Sequence, residues 1–267
     1  MPVAAERVPV TIYHGTSWRP EPKRLDRVRL ALHFAIAADY GFASIDYELL
    51  AAWRDRGAAL PQRPILFDFD HPMRSIHRVI WPLMAHHGYT GTLYVNTSWM
   101  EKVGDDRYMT WQEIRDLVAV GWRIGAHLHH HFNLAYLARL DHSGGLIREQ
   151  MALNNRILLE QLGVVPVVFA YTGTTFSVVA EAEARRRYRF ARLWITGASY
   201  ETDRGTMRFA DLAGVEGPDE SDGGPPLAAR YVTADTSPHR LPAMEPQGLI
   251  YEEAAFRRYL EGALSGG

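Results

Sequence analysis

The sequence predicts an α/β barrel, a parallel sheet closed on itself and wrapped by helices. Three observations lead there. Short apolar runs alternate with longer segments of helical period, the order expected of parallel strands joined by crossover helices. The length, 267 residues, is one that a single α/β barrel often occupies. Acidic and imidazole side chains gather where the apolar runs end, which is where parallel α/β folds collect their chemistry.

In chain order, strands are expected at 10–13, 41–45, 65–69, 92–96, 123–127, 167–171 and 189–194. The run Ile65-Leu66-Phe67 is nearly unbroken in its apolarity, as suits a strand covered on both faces. Between the strands, helical patterns cover 25–39, 47–56, 76–87, 111–120, 146–162 and 178–187. Residues 205–229 break this rhythm, and 214–226, rich in Gly, Pro and Asp, read as a long surface loop. With no internal repeat and no boundary signal, residues 1–267 are expected to form one domain.

Composition narrows the function. Hydrophobic residues make up 47% and charged residues 22%, an ordinary globular balance. A net charge of −2 gives no basic excess to suggest nucleic acid or an anionic membrane as partner. Arg185-Arg186-Arg187 reads as a solvated helix face. Cysteine is absent, so disulfides and thiolate ligands drop out and histidine and carboxylate remain as the metal-binding groups. Residues 1–7 lack a basic region followed by an apolar core, and no run of about 18 apolar residues occurs. A cytoplasmic location is the expectation; the oligomeric state is open.

Two segments carry chemistry. Gly125-Ala126-His127-Leu128-His129-His130-His131 packs four histidines into five positions after an apolar run. Neutral imidazole is the commonest side-chain metal ligand, and His127 and His131, four apart, share a face if the chain turns helically there. His129 and His130 are read as filling the turn. The second segment, Pro64 to Ser75, ends an apolar strand in Asp68, Asp70, His71 and Pro72. Strand alternation places Asp68 and Asp70 on one face, and two acids with an imidazole exceed what helix capping requires.

These motifs resemble the polysaccharide deacetylases (NodB-homology domains, carbohydrate esterase family 4). Pro64 to Ser75 resembles the family's strand ending in Thr-Phe-Asp-Asp-Gly. Met109-Thr110-Trp111 followed by Gly121 to His131 and Leu134 is similar to its Trp-bearing helix and His-x-x-x-His motif. Phe169-Ala170-Tyr171-Thr172-Gly173 resembles its third motif, with Thr172 where the family has proline. Val8 to His14 resembles the Tyr-His strand that opens the poly-β-1,6-N-acetylglucosamine deacetylase branch.

The resemblance implies a distorted (β/α) barrel of seven or eight strands and a metal-dependent hydrolase that removes an N-acetyl or other N-acyl group from an amino sugar. In the ungapped register the family's base falls on Asp70, its ligand Asp on His71 and its glycine on Pro72. The implied ligands are then His71, His127 and His131, a set known for catalytic zinc; cobalt or nickel would also fit. A metal-activated water would attack the acyl carbon, with Asp70 as base and His14 as acid. A second register makes Asp68 the base and Asp70 a ligand; the first keeps Ser75 and the next helix in step. Asp68 and Tyr171 are candidate substrate contacts and His239 an alternative acid. Trp99, Trp111, Trp122 and Trp194 are expected in the core or at the rim, and His86-His87 at a helix end. Two rivals remain: a carbohydrate-binding pseudoenzyme, and a three-histidine iron site with non-hydrolytic chemistry.

Overall fold

The computed structural model describes residues 6–16, 25–102 and 104–265. Residues 1–5, on which part of the expectation about a leader segment rests, lie outside the described residues. The chain begins β1 (Val10–Tyr13), α1 (Arg27–Asp39), β2 (Ala43–Ser44), α2 (Tyr47–Arg56), β3 (Pro64–Asp70), α3 (Trp81–Ala85) and β4 (Thr92–Val95). It continues α4 (Trp111–Ala119), β5 (Arg123–Ala126), α5 (Leu134–Leu140), α6 (Gly145–Leu162), β6 (Val168–Ala170), β7 (Thr175–Phe176) and α7 (Val178–Arg185). It ends β8 (Phe190–Ile195), β9 (Ser199–Thr202), β10 (Gly205–Arg208), α8 (Phe209–Ala213), β11 (Leu241–Met244) and α9 (Glu253–Leu264).

Seven strands close a parallel ring in the order β1-β11-β8-β6-β5-β4-β3, and β3 pairs back onto β1. The α/β barrel expected from the alternation is therefore present. The membership of the ring differs from expectation. Residues 41–45 shrink to the two-residue β2, which pairs only with the start of β3. The seventh stave is β11, which is absent from the expected strands; its Pro242 is a residue unusual in a central strand. The expected loop 214–226 carries no helix or strand, and ahead of it the chain forms β10, antiparallel to β9, and then α8.

The helices start where their sequences supply caps. Asp46 accepts from the Leu49 N–H at α2, Thr110 and Glu113 form a reciprocal box at α4, and Asn133 and Ser177 cap α5 and α7. The expected helix at 76–87 is divided: Ile76–Ile80 form a π turn before α3. Pro82 has no N–H to donate, which favours a register shift at that point. In α9, Phe256, Tyr259 and Leu260 bury one face. Among the described residues no helix is long and apolar enough to cross a membrane.

Strand alternation builds two apolar layers. Phe67, Phe69, Leu93, Val95, Ile124 and Phe169 face the helices. Val10, Ile12, Leu66, Tyr94, Val168 and Phe190 fill the barrel interior, joined by Tyr47 and Leu50 of α2. Gly125 makes room for one of these rings: a Cβ there would lie 2.4 Å from the Tyr94 ring. Gly125→Ala is expected to cost about 1–3 kcal/mol by overpacking. A denaturation midpoint equal to that of the wild type, with the same m-value, would refute this.

Candidate active site

Leu66, Asp68 and Asp70 alternate with the outward-facing Phe67 and Phe69, so both carboxylates of β3 point into the barrel. On β8, Phe190 also faces in, which directs Arg192 and Trp194 to the same interior. Arg192 is 0% exposed, Asp68 0% and Asp70 2%. The guanidinium bridges the two acids. Its Nε donates to Asp68 Oδ2 at 3.0 Å, and its Nη2 donates to Asp70 Oδ1. Its carbon lies 4.3 Å from the centroid of the Tyr94 ring. The Tyr47 hydroxyl donates to Asp68 Oδ2 at 2.8 Å from beneath.

One guanidinium between two buried carboxylates divides them electrostatically. Burial pushes the Asp68 carboxyl up to about 7, against the pull of Arg192 and Tyr47. Burial opposes charge on Asp70 as well. There Arg192, with the imidazoles of His127, His14 and His71, outweighs burial and holds the carboxyl well below the usual range. Asp70 is thus the ionised acid at the strand end. Its Oδ2 lies 3.6 Å from His14 Nε2 and 4.0 Å from His127 Nε2, both beyond hydrogen-bond length.

His14 follows β1 and is partly exposed. Its Nδ1 lies 2.9 Å from Glu245 Oε2, just beyond β11. The indole N–H of Trp194 donates to the same oxygen at 2.9 Å, and its ring centroid is 4.9 Å from that of His14. Burial works against charge on His14, but Glu245 and then Asp70 overcome it and raise its pKa above the ordinary value.

Three further imidazoles converge beside Asp70. His71, His127 and His131 each offer a ring nitrogen, and these atoms lie within 4.8 Å of one another. His71 and Leu128 adopt left-handed φ angles of 66° and 62°. Non-glycine residues adopt such angles at a cost, which is met with most often at functional sites. The His71 N–H donates to the Tyr94 carbonyl at 3.0 Å, and its Nδ1 is 2.6 Å from Asn96 Oδ1. Asn96 also donates to the His127 carbonyl. His127 Nδ1 is 2.9 Å from the Ala170 carbonyl. A carbonyl can only accept, so the proton sits on Nδ1 and the Nε2 lone pair is free. That Nε2 is buried and has no hydrogen-bond partner among the described residues. An orphaned lone pair facing two other imidazoles fits a metal ion, and outer partners on Nδ1 are typical of metal-binding histidines. Burial lowers the pKa of all three, with Asp70 opposing: His71 to about 3, His127 well below normal, and His131 below normal. All three are neutral and able to donate a lone pair.

Of the residues singled out from sequence, His14, Asp70, His71, His127 and His131 come together. Asp68 and Tyr171, the expected substrate contacts, both lie inside the protein. Asp68 has no exposed surface, and Tyr171, equally buried, donates its hydroxyl to the His239 carbonyl at 3.1 Å. His239 is also buried, with Nε2 2.9 Å from the Tyr188 carbonyl. His129 Nδ1 bonds Thr97 Oγ1 at 2.9 Å, and the His130 N–H bonds Gln150, so both support the turn. Trp122 is in the core. Trp99 stacks on His71 with centroids 4.2 Å apart and, with Trp194, walls the site.

Sequence reading missed Arg192, Glu245 and Asn96. A lone Arg inside Phe190-Ala191-Arg192-Leu193-Trp194-Ile195 was a usable signal, because an unpaired charge in a buried strand is costly and needs a partner. Glu245 could not be found until β11 was recognised as a strand.

The polysaccharide deacetylase family profile matches residues 57–189. The chain belongs to that family. Among solved structures, the Streptococcus pyogenes deacetylase PplD, in complex with acetate, is 16% identical with a TM-score of 0.65, over 94% of this chain and 98% of that one. IcaB from Ammonifex degensii is 18% identical with a TM-score of 0.63, over 71% and 84%. The BpsB deacetylase domain from Bordetella bronchiseptica is 15% identical with a TM-score of 0.63, over 92% and 98%. At such identities these structures share the fold, a closed seven-stranded parallel barrel with flanking helices. No curated protein sequence matches.

Proposed function

We propose that this deacetylase-family chain hydrolyses the N-acetyl, or a related N-acyl, group of an amino sugar. His71, His127 and His131 would hold a divalent ion, with zinc the best match to three neutral imidazoles. The supporting observation is the convergence of those imidazoles with an ionised Asp70 and a protonated-prone His14 at one barrel end. When bound, such an ion supplies polarisation of an acyl oxygen and a lowered pKa for water.

The remaining steps belong to the protein. Asp70 Oδ1 is tied to Arg192, so Oδ2 accepts the proton of the attacking water. His14 carries its Nδ1 proton toward Glu245, which leaves Nε2–H to protonate the departing nitrogen. Trp99 packs on His71 and Trp194 on His14, so the two indoles wall the site. Metal analysis with N-acyl release from a panel of amino sugars, using zinc-, cobalt- and nickel-loaded protein, tests this reading. No release from any substrate with any of the three metals would overturn it.

The pH profile gives a separate test. An acid must be protonated, so activity should fall as pH rises through the pKa of His14. Glu245 raises that pKa. Glu245→Gln should therefore move the alkaline limb of kcat/KM toward lower pH while metal content stays constant. An unmoved limb would remove His14 from the acid role or Glu245 from its control.

A further inference from the structure

We propose that Asp68 is a positioning residue: it clamps Arg192 so that one guanidinium N–H fixes Asp70 Oδ1 and leaves Oδ2 to the water. This rests on the reading of Asp70 as the base. Asp68 has no exposed surface and cannot meet substrate. Its Oδ2 nevertheless takes two bonds, from Tyr47 at 2.8 Å and from Arg192 Nε at 3.0 Å. Tyr47 belongs to α2, which fills the barrel interior with Leu50. The clamp therefore runs from α2 through Asp68 and Arg192 to Asp70.

An arginine side chain has many rotamers, and its charge alone would not aim it. Here the contact to Asp68 and the contact to Asp70 fix the guanidinium in its plane, and the Tyr94 ring at 4.3 Å covers its face. Among the described residues Arg192 Nη1 has no hydrogen-bond partner, so the aim of the group depends on those contacts. Among the described residues no hydrogen bond within 3.5 Å reaches Asp68 Oδ1 either. An asparagine could therefore keep both bonds through one oxygen and place its amide where Oδ1 now sits. Burial pushes the Asp68 carboxyl up to about 7, so near neutral pH an amide removes only part of a charge.

The test compares Asp68→Asn, Asp68→Leu and Tyr47→Phe with the wild type, all zinc-loaded, on the amino-sugar panel. Asp68→Asn should keep kcat within about fivefold. Asp68→Leu should lose roughly 10- to 100-fold in kcat, the worth of a charged hydrogen bond, with KM within about twofold. Tyr47→Phe, which removes only the hydroxyl anchoring Asp68, should lose about 3- to 10-fold in kcat. If Asp68→Leu does not fold, Asp68→Asn and Tyr47→Phe decide. Asp68→Asn as damaging as Asp68→Leu, or wild-type kcat in either Asp68→Leu or Tyr47→Phe, overturns the clamp. A crystal structure of Asp68→Leu gives a readout independent of turnover: Arg192 should leave Asp70 Oδ1, and its retention there overturns the proposal. A wild-type protein inactive on every substrate would instead strike the deacetylase reading, and the structure would still decide the clamp.

Discussion

Asp70→Asn is expected to abolish N-acyl hydrolysis, a loss of roughly 10³-fold or more in kcat, without loss of metal. An amide of nearly the same size cannot accept the water's proton, and general-base contributions run to about 10²–10⁴-fold. Metal should stay because the three imidazoles that approach one another within 4.8 Å do not include Asp70. Asp70 Oδ2 lies 4.0 Å from His127 Nε2, and its Oδ1 is taken by Arg192. Metal stoichiometry and turnover, measured on the same preparation, separate the two registers that the sequence leaves open. If Asp70→Asn releases the metal, Asp70 is a ligand. The base would then have to be sought elsewhere, since Asp68 has no exposed surface.

His14→Ala should lower kcat by roughly 10²–10⁴-fold through loss of the proton donor, with metal content unchanged. Its Nε2 lies 3.6 Å from Asp70 Oδ2, so acid and base can address one reacting group between them. Glu245 holds the other face of the ring. A substrate whose leaving group needs no protonation, such as an activated aryl ester, should lose much less. Equal losses on amide and ester would argue that His14 shapes the site rather than supplying a proton. His239 cannot take over, because it is buried and its Nε2 is engaged with the Tyr188 carbonyl.

Much of the fold was readable because it depends on local pattern. Apolar runs located β1, β3, β4, β5, β6 and β8, and helical periodicity located α2, α4 and α7. β11 is absent from the expected strands: its Pro242 carries no N–H, and only its neighbours in the ring make Leu241–Met244 a strand. The candidate site divides in the same way. His127 and His131 announced themselves by spacing, and Asp70 and His71 by their place at the end of an apolar strand. For Tyr171 local pattern decides nothing: a residue after a short strand can turn either way, and packing buries it in the helix-facing layer.

The sequence by itself determined the alternation that makes a barrel and the residues that gather at one end of it. Only the tertiary structure set the surroundings of Asp68 and Asp70 apart. Two acids on one face of one strand are equivalent to any rule of periodicity. They become different when Arg192, 122 residues further along the chain from Asp70, enters between them. Burial then pushes the Asp68 carboxyl up against the pull of Arg192 and Tyr47, while Arg192 and the surrounding imidazoles keep Asp70 ionised. That division depends on distances across the barrel, and such distances exist only after β8 and β3 have closed into the same ring.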